Sequence, residues 1–314
     1  MEVNQKHIGL IGCGNWGKRI LTQLIKLGCE VSVVARSQQS IDNARHAGAT
    51  QVLSNIGELK NPEGMIIVTS TETHFDVIEE SLPFKVPIFV EKPITANLEQ
   101  TSLLRRKAAG QIFVMDKYRY HPAIKALAEL IAKKELGNIR ALKTKRYGWS
   151  VSKGSVNCIW DLAPHELAIV FTLLGHVPEL KYKNIDLLDN TPIGFTAYFG
   201  DYPTVSCEVI KGRQSKSREV RVLFSEGLAI WNDQEEGGDI RIFTLRDLEH
   251  SNKNAGTIME VSKEDPLVLE LQAFLTFLDG GPEPMSNLDD AYLFAQRISE
   301  ITNLSLLPQE SFTK

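Results

Sequence analysis

Five short apolar runs in the first third of the chain constrain its fold more than any other feature. They are HIGLIG (7–12), EVSVVA (30–35), MIIVTS (65–70), IFVEK (88–92) and QIFVMD (111–116). Each run is continuously apolar, as expected for a strand that is buried on both faces of a parallel sheet. Helical spacing of apolar residues fills the intervals at 16–27, 38–47 and 73–82. Repeated strand–helix units predict right-handed crossovers and a doubly wound parallel sheet, an α/β domain of the Rossmann type.

The pattern of the chain changes after about residue 117. Polar and apolar residues now alternate, which predicts an open, mainly antiparallel sheet with one face in solvent. The predicted strands are 139–149, 180–189, 194–200, 204–212, 219–227, 228–233 and 239–245, and the predicted helices are 122–135, 162–174, 266–279 and 288–305. We therefore expect two domains, a Rossmann domain at 1–117 and an α+β domain at 118–314, with a last helix able to pack back on the Rossmann domain.

A glycine-rich loop follows the first apolar run. Its residues, Gly12-Cys13-Gly14-Asn15-Trp16-Gly17, fit the pattern G-x-G-x-x-G. In this pattern the first glycine permits a tight turn, the second lets a pyrophosphate approach the backbone, and the third lets the helix pack closely on the strand. The helix that begins there also offers its amide groups to negative charge. Because the loop joins a predicted strand to an amphipathic helix, it predicts a dinucleotide-binding site, with a purely structural loop as the alternative.

The end of the second apolar run bears on which dinucleotide is bound. An acidic residue about 20 residues after the loop would bond the ribose 2′-hydroxyl of NAD. Val34-Ala35-Arg36-Ser37 stands there instead, and Glu30 begins the strand instead of ending it. Arg36 can pair with a 2′-phosphate, and Ser37 can donate a hydrogen bond to it. We predict NADP(H) in preference to NAD(H); the alternative is an ordinary solvated arginine after a strand.

Further motifs extend over nearly the whole chain. They are GCGNWG (12–17), STETHFDV (70–77), EKP (91–93), YRYHPAIKAL (118–127), ELGNIRALK (135–143), WDLAPHE (160–166) and ELQAFLTFLDGGPEP (270–284). Their order and spacing resemble the Gfo/Idh/MocA oxidoreductases, a family named for glucose-fructose oxidoreductase and inositol dehydrogenase. The resemblance implies a Rossmann domain, an open sheet domain that binds substrate and mediates oligomerisation, and an active site between them at the carboxyl ends of the parallel strands.

The triplet Glu91-Lys92-Pro93 ends the fourth apolar run, where ligands sit in open α/β sheets. Pro93 favours an extended backbone at Lys92, which fixes the direction of the lysine side chain. An ammonium there can polarise a carbonyl and donate a proton as hydride arrives. In the family that the chain resembles, this lysine is catalytic or positions the substrate, and Glu91 lies near the nicotinamide. The alternative is a strand-end lysine in solvent.

The string Trp160-Asp161-Leu162-Ala163-Pro164-His165-Glu166 resembles the family's D-x-x-x-H motif. There the histidine commonly acts as acid or base, and the aspartate contacts substrate or the lysine. Spacing of four residues puts Asp161 and His165 on one face of a helix, and an imidazole titrates near neutrality. The alternative is that Asp161 is only the N-cap, with Pro164 in the first turn.

Other candidate residues follow from the resemblance alone. Glu72 stands where family members often have proline, and Met115-Asp116-Lys117-Tyr118 replaces a stretch that is often rich in glycine and asparagine. Positions expected to line the dinucleotide are Ser70, Thr71, His74, Glu91, Lys92 and Pro93. Tyr118, Tyr120, Arg146 and Tyr147 are candidate pocket residues, although aromatic side chains at a domain junction more often serve packing.

Composition bears on partners and compartment. The net charge of −4 gives no indication of a nucleic-acid or anionic-membrane partner. We expect no membrane span, since no apolar run of about 18 residues occurs, and no signal peptide at the N-terminus. The four cysteines, Cys13, Cys29, Cys158 and Cys207, lack metal-site spacing, so we expect no metal and a reducing, cytoplasmic location.

The favoured function is reversible hydride transfer between NADP(H) and a hydroxyl- or keto-bearing carbon of a sugar, cyclitol or nucleotide-sugar, by a homodimer or homotetramer. Three alternatives stay open: an NADPH reductase resembling biliverdin reductase, a dinucleotide-dependent glycosidase or lyase, and a non-catalytic dinucleotide sensor. The presence of both Lys92 and His165 argues against a sensor, which has no need of a proton relay.

Overall fold

The computed structural model describes residues 5–148, 156–213, 215–234, 238–249 and 255–303. The chain forms two compact units, each discontinuous in sequence. The first comprises Met1–His121 with Glu264–Ala295, and the second comprises Pro122–Lys263 with Gln296–Lys314. The helices are α1 (Asn15–Lys26), α2 (Gln38–His46), α3 (Thr71–Ser81), α4 (Leu98–Lys107), α5 (Pro122–Lys133), α6 (Cys158–Leu174), α7 (Leu245–Glu249), α8 (Pro266–Leu278) and α9 (Leu288–Thr302).

The first unit contains a parallel sheet of six strands. These are β1 (His7–Ile11), β2 (Glu30–Val34), β3 (Gln51–Leu53), β4 (Gly64–Ile67), β5 (Ile88–Glu91) and β6 (Ile112–Met115). Their order across the sheet is β3-β2-β1-β4-β5-β6, and every neighbouring pair is parallel. This order reverses between β1 and β4, the point at which doubly wound folds bind dinucleotides. The predicted Rossmann fold is confirmed.

Two apolar cores cover the faces of this sheet. On one face, the buried side chains of α1 and α8 pack against Leu10, Ile66 and Phe89. On the other face, α3, α4 and the start of α9 pack against Ile67, Val90 and other strand residues. Because both faces are covered, the strands carry continuous apolar runs, which is why the sequence revealed them.

Helix α8 comes from the C-terminal part of the chain and runs antiparallel to the strands. Phe274 of α8 stacks on Phe89 of β5 with ring centroids 5.0 Å apart, and Phe277 packs edge-on against Phe113 of β6 at 5.0 Å. A Cβ added to Gly64, at the start of β4, would come within 2.9 Å of the Leu278 side chain. The end of α8 therefore lies at the amino ends of the strands, and its start lies toward their carboxyl ends.

The second unit contains a mixed sheet, mainly antiparallel, as predicted. Its strands are β7 (Ile139–Gly148), β8 (Leu180–Leu188), β9 (Thr191–Phe199), β10 (Thr204–Lys211), β11 (Ser217–Phe224), β12 (Gly227–Asn232), β13 (Ile240–Thr244) and β14 (Thr257–Met259), in the order β14-β13-β12-β11-β7-β10-β9-β8. Strands β7 and β10 pair in parallel. Helix α6 packs on this sheet at β9 and β10 and against α5.

Helix α6 begins four residues earlier than the sequence pattern predicts. Asn157 is its N-cap, and the Asn157 side chain accepts hydrogen bonds from the amides of Ile159 and Trp160 at 3.0 and 3.1 Å. The proposal that Asp161 is the N-cap is therefore wrong, because Asp161 lies within the helix. Pro164 lies in the helix interior and not in its first turn, so the carbonyl of Trp160 lacks its usual amide donor.

Candidate functional site

A cleft of about 610 Å³ lies at the carboxyl ends of β1, β2 and β4 in the first unit. The glycine loop forms one wall, and the segments after β2 and β4 form the others. The cleft has the volume typical of a small-molecule or cofactor site. Its lining residues are Ile11, Gly12, Cys13, Gly14, Asn15, Trp16, Gly17, Val34, Ala35, Arg36, Ser37, Ser40, Ile56, Val68, Thr69, Ser70, Thr73 and Val77.

The three glycines of the loop have different surroundings. Gly12 has a φ of +94°, and a Cβ there would lie 2.7 Å from the carbonyl oxygen of Val68. A Cβ at Gly17 would lie 2.5 Å from the carbonyl oxygen of Gly12, so the start of α1 packs directly on the loop. A Cβ at Gly14 would meet no protein atom within 4 Å. Gly12 and Gly17 shape the loop, whereas Gly14 leaves open space beside the backbone that a pyrophosphate fits.

The N-terminus of α1 faces this space with its backbone amides uncapped. Gly14 is the N-cap and supplies no side-chain hydrogen bond, and the first turn contains no acidic residue. The amide donors of a first helical turn need partners, and the positive end of the helix dipole favours an anion there. The loop and helix are therefore suited to hold the pyrophosphate of a dinucleotide.

The wall formed after β2 is basic and rich in hydroxyl groups. The Arg36 side chain is 69% exposed, and its guanidinium nitrogen lies 3.9 Å from the Glu80 carboxylate. Ser37 is the N-cap of α2: its Oγ accepts from the amide of Ser40 and donates to the Ser40 hydroxyl at 2.9 Å. Ser40, which the sequence pattern did not single out, also lines the cleft because it lies one turn beyond this cap.

The structure separates the residues predicted after β4 into two groups. Ser70 lines the cleft together with Thr69 and Thr73, two residues that sequence reasoning did not select. His74 is buried, and its two ring nitrogens lie 2.9 Å from the carbonyl oxygen of Pro93 and 3.1 Å from that of Thr69. Burial holds the pKa of His74 below its ordinary value. His74 thus ties the loop after β4 to the segment after β5 and is absent from the cleft wall, as is Thr71, the first residue of α3.

Glu91, Lys92 and Pro93 lie at the carboxyl end of β5, as predicted, but outside the cleft wall. The Lys92–Pro93 peptide is cis. Burial raises the pKa of Glu91, and the neighbouring ammonium groups of Lys92 and Lys117 oppose that shift. The Lys117 ammonium also lies over the ring of Trp16, 5.1 Å from its centroid, which links this charged group to the glycine loop.

In the second unit, Asp161 and His165 lie four residues apart on α6 and so share one helix face. His165 is largely buried, while Asp161 is half-buried, and the Lys211 ammonium lies 3.5 Å from an Asp161 oxygen. The carboxyl oxygens of Asp161 are of the type that accepts hydrogen bonds from a substrate hydroxyl. The catalytic roles of both residues stay predictions.

The four candidate pocket residues have packing or pairing roles. Tyr118 and Tyr120 are buried, and the Tyr120 hydroxyl accepts a hydrogen bond from the amide of Met285 at 2.8 Å. Arg146 is buried and donates to Glu166 at 2.5 Å. The Tyr147 hydroxyl donates to Glu208 at 2.9 Å, and the Arg213 guanidinium covers its ring. Tyr147 is the most accessible of the four.

Comparison with known proteins also indicates a dinucleotide-binding site in the first unit. The model of the GFO_IDH_MocA oxidoreductase family, described as having an NAD-binding Rossmann fold, matches residues 6–114. The chain is thus an oxidoreductase with a dinucleotide-binding Rossmann domain, a dehydrogenase or reductase. Its Rossmann domain, residues 6–114, matches the Gfo/Idh/MocA family, in agreement with the resemblance predicted from the sequence.

Two relatives show the degree of likeness. An uncharacterised oxidoreductase of Escherichia coli is 29% identical over 54% of this chain, and the match spans 53% of that relative's length. UDP-N-acetylglucosamine 3-dehydrogenase of Acidithiobacillus ferrooxidans is 26% identical over 69% of this chain and 70% of its own. The likeness to both relatives is therefore distant.

Solved structures share the fold over nearly the whole chain. Levoglucosan dehydrogenase in complex with NADH has a TM-score of 0.81 at 14% identity, covering 95% of this chain and 96% of that chain. A 3-ketoreductase from Actinomadura kijaniata, in complex with TDP-benzene and NADP, has a TM-score of 0.81 at 15% identity, covering 95% and 97%. One of these proteins is in complex with NADH and the other with NADP, so both kinds of dinucleotide are found on this fold.

Two absences hold for the part of the chain that the structure describes. No helix there combines the length and apolar character needed to cross a membrane. In the same part of the chain, no group of three or more His, Cys, Asp or Glu side chains is arranged to hold a metal ion.

Proposed function

We propose that this protein transfers hydride between NADP(H) and a hydroxyl- or keto-bearing carbon of a sugar, cyclitol or nucleotide-sugar. The observation that carries the cofactor choice is the wall after β2, where Arg36, Ser37 and Ser40 line the cleft and no carboxylate ends the strand. A 2′-phosphate requires cationic and hydroxyl donors, whereas a free 2′-hydroxyl is best bound by an acid. The start of α2 adds uncharged amide donors at the same wall, with no acidic residue in its first turn.

The chain's own residues would divide the chemistry as follows. A bound nicotinamide supplies or accepts the hydride. The amides of the glycine loop and α1 hold the pyrophosphate, and Arg36 holds the 2′-phosphate. Lys92 polarises the substrate oxygen, His165 gives or takes the proton of that oxygen, and Asp161 orients the substrate hydroxyl.

The sugar-like substrate class rests on the relatives and on Asp161. UDP-N-acetylglucosamine 3-dehydrogenase, levoglucosan dehydrogenase and the 3-ketoreductase are named for carbohydrate-type or ketone substrates. The Asp161 carboxylate, which lies 3.5 Å from the Lys211 ammonium, is a suitable acceptor for a sugar hydroxyl. A panel of keto-sugars, cyclitols and nucleotide-sugars, assayed for NADPH oxidation and for the reverse reaction, would identify the substrate. Release of a cleaved or dehydrated product without net change in the dinucleotide would favour the glycosidase or lyase alternative.

Replacement of Arg36 tests the cofactor assignment. We expect Arg36→Ala to weaken NADPH binding at least tenfold and NADH binding little, because a charge-assisted hydrogen bond is worth about 1.5–3 kcal/mol. Fluorescence enhancement of each reduced dinucleotide on binding measures both affinities. The matched variant Glu80→Gln removes the carboxylate beside Arg36 and should strengthen NADPH binding slightly. An equal loss of NADPH and NADH affinity in Arg36→Ala would contradict the 2′-phosphate assignment.

Replacement of Lys92 tests the chemistry. We expect Lys92→Met to reduce turnover by at least 10²-fold, as loss of a proton donor and electrostatic stabiliser does, with NADPH affinity nearly unchanged. Steady-state kinetics with the best substrate of the panel and the fluorescence titration separate these two effects. Lys60→Met is the control, since Lys60 is an exposed lysine of the same unit. If Lys92→Met loses dinucleotide binding together with turnover, Lys92 is structural.

We also propose that the protein is a cytoplasmic homo-oligomer. All four cysteines are free and buried, as suits a reducing compartment. Aromatic residues such as Tyr182 and Tyr198, whose rings are 6.0 Å apart, are exposed on strands β8 and β9 and could pair between subunits. Light scattering after size-exclusion chromatography would give the oligomeric state, and a monomeric mass would rule out the homo-oligomer.

A further inference from the structure

A buried glutamate on α8 has no role in the proposed chemistry. Glu270 is 1% exposed and lies one helical turn before Phe274, which stacks on Phe89 of β5. Glu91 follows Phe89 by two residues and therefore points to the same face of the sheet. Helix α8 runs antiparallel to β5. Moving back along the helix from Phe274 to Glu270 therefore leads toward the carboxyl end of the sheet, as does moving forward along the strand from Phe89 to Glu91. Glu270 is thereby brought beside Glu91, at the carboxyl end of the sheet.

A third carboxylate completes this group, which we call the acid cluster: Glu91, Asp116 and Glu270. Asp116 follows Met115, the residue that pairs with Glu91 across β5 and β6, and it is 2% exposed. The Oδ1 atom of Asp116 and the Oε2 atom of Glu270 are buried and have no hydrogen-bond partner among the described residues. A buried carboxylate oxygen that accepts no hydrogen bond is costly to hold as an anion, so the surroundings of Asp116 and Glu270 favour the uncharged, protonated form.

Among the described residues, the cationic groups that face the acid cluster are fewer than its carboxylates once the ion pairs with Asp290 and Asp265 are taken into account. Lys92 and Lys117 face Glu91. Arg119 lies near Asp116, but its guanidinium forms an ion pair with Asp290 at 2.5 Å. Asp265 lies near Glu270, and its carboxylate forms an ion pair with Arg19 at 2.6 Å. The Tyr120 hydroxyl faces Glu270 and Asp116 as well and is neutral, since burial raises its pKa to about 12.

Burial and mutual repulsion act most strongly on Glu270. Burial raises its pKa well above the ordinary value, and the negative charges of Glu91, Asp116 and Asp265 raise it further, while Lys117 opposes them. Burial also raises the pKa of Asp116, to about 7. Like charges in one buried site cannot all ionise, so at least one carboxyl group of the acid cluster holds a proton.

We propose that Glu270 is a positioning residue that stays protonated in the working protein and donates its one O–H toward Glu91, which leaves Glu91 as the ionised partner of the Lys92 ammonium. This role rests on the proposed function of Lys92. It assigns Glu270 to the same reaction, through Glu91, although Glu270 is separated from that residue by most of the chain. This role requires an uncharged side chain that can both donate and accept hydrogen bonds. Glutamine meets the same requirement.

The protonation of Glu270 can be tested without any enzyme assay. An unfolded Glu270 ionises near pH 4.5 while the folded one retains its proton, so the wild-type protein loses stability as the pH rises above that value. We expect the melting temperature of Glu270→Gln to exceed that of the wild type by a margin that widens from pH 5 to pH 8. Glu79→Gln, a partly exposed glutamate of α3 paired with Lys107, is the control and should show no widening. A margin for Glu270→Gln that is constant with pH would overturn the proposal.

The positioning role is tested by kinetics of the full chain. We expect Glu270→Gln to keep kcat within about threefold of the wild type, and Glu270→Leu to lower kcat roughly tenfold or more with an unchanged NADPH Kd, because leucine cannot donate to Glu91. Equal kcat values for the two variants would show that Glu270 is only structural and would overturn the proposal. Failure of the proposed function is distinguishable, since full activity of Lys92→Met would remove the role of Lys92 and leave the stability result for Glu270 standing.

Discussion

The glycine loop shows how single residues divide the work of one motif. A Cβ at Gly12 or Gly17 would collide with backbone, which cannot give way, whereas a Cβ at Gly14 would enter open space. The φ of Gly14 is −67°, a value that any residue adopts. Gly12 and Gly17 are therefore required by the fold itself, whereas we propose that Gly14 is required by the ligand.

Alanine substitutions separate these two requirements. We expect Gly17→Ala to lower the melting temperature markedly, because its Cβ would lie 2.5 Å from the Gly12 carbonyl oxygen. We expect Gly14→Ala to melt like the wild type yet to bind NADPH at least tenfold more weakly, because the added methyl group occupies the space beside the pyrophosphate. Thermal melts and fluorescence titrations of both variants measure the difference. Unchanged NADPH affinity in Gly14→Ala would mean that the pyrophosphate does not approach position 14.

At the scale of helices and strands, the sequence predicted the elements that carry strong apolar patterns. It missed β3, which has three residues at the edge of the sheet, and α4, in which Thr101 and Leu104 are the buried residues. It placed the start of α6 four residues late, because Cys158, Ile159 and Trp160 are all buried and show no helical alternation. Local patterns reveal an element through its contrast between faces, and these segments lack that contrast.

Helix α6 is tied to strand β7 by the buried pair of Arg146 and Glu166. We expect Arg146→Met to destabilise the protein by about 3–5 kcal/mol, because it leaves the Glu166 charge buried without a partner. The double variant Arg146→Met with Glu166→Met removes both charges and should recover most of that loss. Lys181→Met, which breaks the exposed pair with Asp201, should cost at most about 1 kcal/mol. Urea unfolding midpoints of the three variants measure these losses of stability. A double variant as unstable as Arg146→Met would contradict this account.

At the scale of the whole molecule, the buried carboxyl groups make the protein less stable as the pH rises. Carboxylates that are ion-paired in a folded protein have the opposite effect. Burial raises the pKa of Asp116 from 3.8 to about 7, so its contribution to stability is full below pH 3.8 and is lost as the pH rises through about 7. We expect Asp116→Asn to gain stability over the wild type between pH 4 and 7, by up to roughly 4 kcal/mol. Asp76→Asn, at an exposed position of α3, is the control. Thermal melts across this range test the sign, and a gain that is independent of pH would contradict it.

The candidate site was predictable only where it follows from local motifs. The glycine loop, Arg36 and the strand-end position of Lys92 follow from neighbouring residues in the chain. Ser40 required knowing where α2 begins, and His74 required knowing that both of its nitrogens face backbone carbonyls. Glu270 could not be placed beside Glu91 at all, because their proximity depends on the packing of α8 against a strand far away in sequence.

The discontinuity of the first unit also affects how the protein folds during its synthesis on the ribosome. Residues 1–121 emerge with every strand of the parallel sheet, yet the apolar faces of Phe89 and Phe113 stay uncovered until α8 is synthesised. During that interval the nascent chain presents an open hydrophobic surface of the kind that chaperones bind and that drives aggregation. A ribosome that stops before residue 264 releases a dinucleotide domain whose core never closes.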